Sequence, residues 1–335
     1  MRSYCPALQR SHDMSFKNIL APVASIVGVC LILILVFLGV YAWPAIRFNG
    51  FAFLFKNDWN LGNMYADPIM HHGMQIMPGA AYGILFLIVG TLLSTLIAVI
   101  IAVPFGVGSA IFLSDGVPAS LRTWLSFFVE LLAAVPSVVY GLWGYVAIIP
   151  LLNHHVFPWM AVHLKFIPIF AGNTGSGYGL LTSGLVLALM IVPLITSTMR
   201  DALIAQPRGL REAALALGAT RFETIWSVIL PSTRRVLIAS SILATGRALG
   251  ETMAVLMVSG NALNYLPHNI YAPISTMAAF IASQLDSAME DPTGMAVRSL
   301  AEVALVLCVI SVIVNGIARL MLYLSNQRAG GSSWA

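Results

Sequence analysis

The sequence predicts an all-α, polytopic membrane protein with six transmembrane helices. Three observations carry that class: 59% of the 335 residues are hydrophobic, only 9% are charged, and the apolar residues gather into six long runs. Soluble domains carry about 25% charged residues, and a helix needs about 17–25 apolar residues to cross roughly 30 Å of hydrocarbon. An ordinary soluble enzyme is therefore excluded. So is a nucleic-acid binder, despite a formal net charge of +4, because the basic residues lie in short loops between apolar runs.

The runs are Ile19–Trp43, Ile84–Leu113, Leu125–Ile149, Tyr178–Met199, Val236–Ser259 and Leu300–Leu324. The first follows Arg2, Arg10 and Lys17, as a signal peptide would. At about 25 residues it exceeds a signal-peptide core of about 7–15, and Tyr41-Ala42-Trp43-Pro44 offers no small-residue cleavage site. It reads as an uncleaved helix. The expected organisation is a tail at 1–18, a first helix at 19–43 and an extracytoplasmic segment at 44–83. A membrane domain at 84–324 and a tail at 325–335 complete it. A further stretch around Pro273–Ile281 is too short to cross and reads as a re-entrant or surface helix. Pro104, Pro136 and Pro193 fall inside spans, where proline frees a carbonyl and kinks a helix; Pro136 and Pro193 are candidate hinges.

Basic residues set the orientation. One side of the six spans holds 12 Lys and Arg residues, the other holds Arg47, Lys56, Lys165 and Arg298, and Arg247 lies within a span. Both termini and the loop 200–235 are thereby expected in the cytoplasm. That loop carries six of the 12.

Arg247 is the outlier. About 11 residues into its run it lies about 17 Å deep, near the bilayer midplane. An ionisable residue there costs at least about 2.5–3.5 kcal/mol on insertion scales and marks a functional site. Glu251, four residues on, is expected on the same helix face. Gly246 and Gly250 form a GxxxG stripe that would admit a neighbouring helix. Glu130 reads as a partner for a loop arginine, and Arg298 with Glu302 as an exposed pair of little consequence.

Other chemistries find no support. The doublets His71-His72 and His154-His155 fall in expected outer loops, with no carboxylate or cysteine at ligand spacing, so no metal site is expected. The glycines of 172–179 follow no strand and read as a flexible loop. Cys5, Cys30 and Cys308 form no disulfide framework. No lysine follows a glycine, so the chain has no P-loop and no ATP-binding cofactor site of its own. No catalytic residue is expected.

The basic loop carries the strongest motif. Glu212-Ala213-Ala214, then three residues, Gly218, nine residues, Val228, one residue, and Leu230-Pro231 form a long fixed spacing. It predicts a short Ala-rich helix starting at Glu212 and stopped by Gly218, then a second amphipathic segment. Held between two spans, such a helix-turn-helix can dock on a soluble partner and transmit its motion.

This pattern resembles the EAA loop of the membrane subunits of bacterial ABC importers. The segments Glu130–Gly144 and Gly246–Val255 are similar to the phosphate-specific permeases, more to their PstC type than to the PstA partner. The resemblance, over about Ala80–Leu322, implies a MetI-like permease of the bacterial inner membrane, not an enzyme. It implies a second homologous permease, two copies of an ATPase that uses ATP, and a periplasmic phosphate-binding protein. Glu212, Ala213, Ala214 and Gly218 would couple to the ATPase, and Arg247 with Glu251 would line the phosphate pathway. Arginine suits a tetrahedral oxyanion because its planar fork donates paired hydrogen bonds and keeps its charge, and Glu251 would balance it when the site is empty. The alternatives are another oxyanion, molybdate or sulfate, or an ATP-independent anion channel, which would leave the EAA loop unexplained. An intramembrane enzyme is a third, for which the spans show no nucleophile–base set.

Overall fold

A computed structural model describes residues 6–330, His72 excepted. Its helices are α1 (Pro6–Asn49), α2 (Leu85–Ile111), α3 (Ala119–Ala134), α4 (Ser137–His163) and α5 (Leu180–Ile204). There follow α6 (Arg208–Ala216), α7 (Arg221–Ser232), α8 (Arg234–Leu249), α9 (Met253–Val258), α10 (Met277–Met289) and α11 (Met295–Gly330). Apolar runs become helices because a backbone in hydrocarbon must satisfy its own hydrogen bonds. Among the described residues five helical segments are long and apolar enough to cross, or up to six if α7 and α8, bent by 67°, count as one span. The expected tails are helical as far as described, at 6–18 and 325–330; residues 1–5 and 331–335 lie outside the described residues.

Two spans differ from expectation. The run at Leu125–Ile149 is interrupted at Val135-Pro136, both in extended backbone, and the crossing segment is α4. Pro136 has no N–H to donate and pushes Val135 out of the helical region. The expected hinge is thus a junction between α3 and α4. One consequence is that His154 and His155 sit on the spanning helix rather than in an outer loop. The second difference, in the fifth run, falls at the candidate site and is described there. Pro193, by contrast, is buried within α5, and the helix continues through it.

The core pairs α2 with α5. Small residues let the two backbones close: a methyl on Gly184 would meet Ile97 at 2.5 Å, and one on Gly106 would meet Ile195 at 2.8 Å. Ala98, Ala102, Ala188, Ile191 and Ile195 fill the seam. A second cluster holds the N-terminal end of α2 against α10 and α11, where Phe280 packs edge-on to Phe86 and Trp59. The Thr91 Oγ1 accepts the first N–H of α10, from Met277, at 2.9 Å. As expected, the stretch after Pro273 forms a helix too short to span, and at 13 residues it runs on to Met289.

The segment between α1 and α2 departs from the all-helical pattern. It forms two small antiparallel ladders, β1 (Trp59–Asn60) with β4 (Ala81–Tyr82), and β2 (Ile69–His71) with β3 (Met74–Ile76). Asn264, in left-handed backbone at φ 55°, clamps it: its Oδ1 accepts from Trp59 N at 2.6 Å and its Nδ2 donates to Trp59 O at 3.1 Å. This segment therefore braces the loop between α9 and α10.

Arg298 and Glu302 are not an exposed pair. Glu302 is buried and accepts a hydrogen bond from Asn49 Nδ2 at 2.8 Å, joining α11 to the end of α1. Glu302→Gln keeps an acceptor and is expected to leave the unfolding temperature in detergent unchanged. Glu302→Leu strands the Asn49 amide and should destabilise by about 1 kcal/mol. Equal melting of the two variants would remove the tie from the account.

Candidate functional site

The expected fifth span does not stay helical. Helix α8 ends at Leu249, Gly250 takes φ −91° and ψ 2°, Thr252 takes φ −106° and ψ −67°, and α9 restarts at Met253. Arg247 and Glu251 therefore do not share a helix face, because the backbone unwinds between them. Among the described residues no ion pair joins them. Glu251 turns to the backbone instead: its Oε1 accepts the Ala254 N–H at 3.4 Å, at the start of α9.

The glycine stripe also divides. A methyl on Gly246 would stand 3.5 Å from the Asn315 amide on α11, an ordinary contact, and one on Gly250 would meet only its own chain. Gly250 serves the end of α8 rather than a helix crossing. The tighter glycine lies elsewhere: a methyl on Gly141 would meet the Ala254 Cα at 2.9 Å, so α4 packs on the backbone of α9. Nothing in the sequence marks that approach apart from the run Pro136–Gly144.

Arg247 is 13 residues from the start of α8, about 20 Å along it. It lines a cavity of about 910 Å³ together with Leu194, Leu243, Gly246, Asn315 and Arg319. Among the described residues no carboxylate lines this cavity. A guanidinium in a largely apolar wall is poised to attract an anion.

The basic loop folds as two helices. Helix α6 starts at Arg208, one turn earlier than expected, because Pro207 in extended backbone sets its beginning. Glu212 and Ala213 are exposed and Ala214 is buried. Gly218 has φ +87°, Ala219 N donates to Ala214 O at 3.1 Å and Gly218 N to Leu215 O at 3.0 Å. This paired closure of a helix end needs a left-handed residue, which glycine supplies without strain. Thr220 then opens α7 with a capping box: its Oγ1 accepts from Glu223 N at 3.2 Å and its N donates to Glu223 Oε2 at 2.7 Å. Those hydrogen bonds hold the Glu223 carboxyl below its usual range.

Ion pairs hold this loop and the end of α5 to the bundle. Arg211 pairs with Asp115 beyond α2 and donates to Leu203 O at 3.1 Å. Buried Arg200 binds Glu130 of α3 at 2.9 Å, the loop-arginine partner expected for that glutamate, and Asp201 at 2.8 Å. The outer side of the loop leaves Leu217 and Phe222 uncovered, at 90% and 72% exposure, and Trp226 stacks on Phe222. Apolar side chains at that exposure beside a rigid helix pair mark a docking face. Gly218→Val costs about 1–2 kcal/mol of backbone strain at a left-handed position. It is expected to lower the unfolding temperature in detergent, with Gly218→Asn milder; equal melting of all three proteins would argue against a role for the turn.

A family model described as binding-protein-dependent transport system inner membrane component matches residues 102–329. The chain belongs to this family. Membership makes it the membrane component of a transport system that depends on a binding protein, and α6 and α7 fall within the matched residues. Among curated relatives, the phosphate transport system permease protein PstC 1 of Mycobacterium tuberculosis is 46% identical over 283 residues, 84% of each chain. PstC of Pasteurella multocida is 37% identical over 292 residues, covering 86% of this chain and 85% of its own. A bacterial ABC transporter involved in the import of the acidic polysaccharide alginate shares the fold. Its TM-score is 0.55 at 14% identity, over 93% of this chain and 98% of that one. The ABC-importer permease architecture is thereby borne out, including a multi-pass chain whose part is transport.

Proposed function

We propose that this chain is the permease subunit of an ATP-driven importer of inorganic phosphate in the bacterial inner membrane. The observation that carries the reading is the 46% identity to a phosphate permease over 84% of both chains, with an arginine held deep in the span that the sequence marks. Phosphate would reach the pathway from a periplasmic phosphate-binding protein and pass Arg247, whose guanidinium donates to its oxygens. Glu251 would line the same passage while holding the start of α9. A second homologous permease would complete the pathway, and two copies of a cytoplasmic ATPase would dock on α6 through Glu212, Ala213, Ala214 and Gly218. No cofactor is needed in this chain, since ATP is used by the partner.

The coupling follows from the ties of the loop. Arg211–Asp115 links α6 to the end of α2, and Arg200–Glu130 joins the end of α5, from which the loop leaves, to α3, so displacement of α6 would be passed to the bundle rather than absorbed. The junction at Pro136 and the proline-bearing helix at Pro193 would let neighbouring segments rock. Both termini would lie in the cytoplasm, by the distribution of Lys and Arg.

The test is labelled-phosphate uptake in cells lacking a high-affinity permease and supplied with the partner subunits. ATP-dependent uptake that resists excess molybdate and sulfate is expected. Uptake abolished by molybdate or sulfate would assign another oxyanion, and flux without ATP would assign a channel.

A further inference from the structure

Counting charges along the chain assigns Arg319 to the cytoplasmic side, although it falls within the run Leu300–Leu324, and the packing of α11 on α8 sets it beside residues well inside α8. The two helices run antiparallel: Asn315 stands beside Gly246, and Ala318 shares a small cavity with Ile238, Ser241 and Ile242. Arg319 lines the 910 Å³ cavity with Ala239, Ile242 and Leu243. Those residues lie five to nine positions into α8, about 8–14 Å from Arg234, against about 20 Å for Arg247. Helix α11 continues past Arg319 to Gly330, at least another 11 residues. A second guanidinium thus shares the cavity of Arg247, about one to two turns nearer the coupling loop.

Asn315 and Arg319 are four residues apart on one helix, so their side chains stand one above the other on one face. Among the described residues, Arg247, Asn315 and Arg319 have neither a hydrogen-bond nor an ion-pair partner within the chain. Arg247 and Arg319 are exposed and Asn315 is half-buried, so all three side chains are open to whatever enters the cavity. All three present donors, no carboxylate among the described residues lines the cavity, and its remaining walls include Leu194, Ile242 and Leu243. That donor set recognises a tetrahedral oxyanion of the phosphate type.

The geometry points to Asn315 and Arg319 as a second anion station, on the inner side of Arg247, to which the transported oxyanion passes before release. This rests on the reading of the chain as an oxyanion permease. Passage needs sites that bind enough to admit the ion and weakly enough to let it go. Two guanidiniums at successive depths meet that condition, since an anion leaving one is drawn to the next. Asn315, at the level of Gly246, contributes a neutral donor between them.

The test uses the whole importer, with its partner permease, ATPase and binding protein, in proteoliposomes of either zwitterionic or phosphatidylglycerol-rich lipid. Uptake of labelled phosphate, sulfate and molybdate is followed at matched protein incorporation, with ATP hydrolysis measured in parallel. Arg319→Gln should lower the maximal rate of whichever oxyanion the wild type carries by about tenfold or more, in both lipids, as expected when a charge-assisted bidentate contact is lost. The KM should change little, because the ion is first taken up further out. Arg319→Lys should recover part of the rate, and Asn315→Leu should fall between, while ATP hydrolysis persists in all three.

Carriage of sulfate or molybdate instead of phosphate, with the same dependence on Arg319, would refute the phosphate reading and uphold the station. Normal rates in Arg319→Gln would overturn the station and leave the phosphate reading intact. A defect confined to one lipid composition would assign Arg319 to lipid phosphates, and a parallel loss of ATP hydrolysis would assign it a structural role; both overturn the proposal. Wild-type transport of none of the three anions would overturn both readings.

Discussion

Replacing Arg247 by Gln is expected to lower phosphate uptake by about ten- to a hundredfold at unchanged membrane abundance. The size follows from the chemistry: hydrogen bonds to a charged group contribute about 1.5–3 kcal/mol, and each 1.36 kcal/mol is a factor of ten in rate. Glutamine fills similar space but offers one amide in place of a charged fork. Abundance should hold, because Arg247 has no ion-pair partner among the described residues whose loss would unbalance the fold. The assay is labelled uptake normalised to permease in the membrane. Uptake equal to wild type would make Arg247 a residue of packing, and a parallel fall in abundance would make it one of stability.

Two glycines are expected to behave in opposite ways. A methyl on Gly90 would overlap the Ser275 carbonyl oxygen, where α2 meets the segment leading into α10. Thr91, next to it, already holds the Met277 N–H, so this backbone has little freedom to retreat. Gly90→Ala should therefore destabilise by about 1–3 kcal/mol, the usual cost of overpacking, seen as a lower unfolding temperature in detergent and reduced membrane abundance. Gly246→Ala meets only ordinary contact at the Asn315 amide, and alanine favours a helix over glycine by about 1 kcal/mol. It should be as stable as wild type or slightly more so. The reverse order would mean that the GxxxG stripe, and not the meeting of α2 with Ser275, sets the packing.

The same pair shows where sequence reasoning reaches its limit. GxxxG draws attention to Gly246 because spacing is visible along the chain. Gly90 carries no such pattern, and its requirement comes from a carbonyl 185 positions away. The Arg247–Glu251 spacing misled for a related reason. A separation of four predicts neighbours only while the helix holds, and it unwinds at Gly250. Glu302 was misread because hydropathy and charge do not show that Asn49, at the end of another helix, would meet it.

The sequence by itself determined the membrane class, the long apolar helices and the helix-turn-helix of the basic loop. These depend on hydropathy, short-range spacing and turn chemistry, all of them local: the Gly218 turn and the capping box after it need no partner outside Ala213–Glu223. Tertiary structure alone decided the break in the fifth span, the clamp of Asn264 on Trp59, the tie of Arg211 to Asp115, and the meeting of Arg319 with Arg247 in one cavity. The physical reason is that an apolar run sets the length of a helix, whereas its register against a neighbour is set by how their side chains interlock. Register is what places Arg319 beside Arg247 in the wall of one cavity.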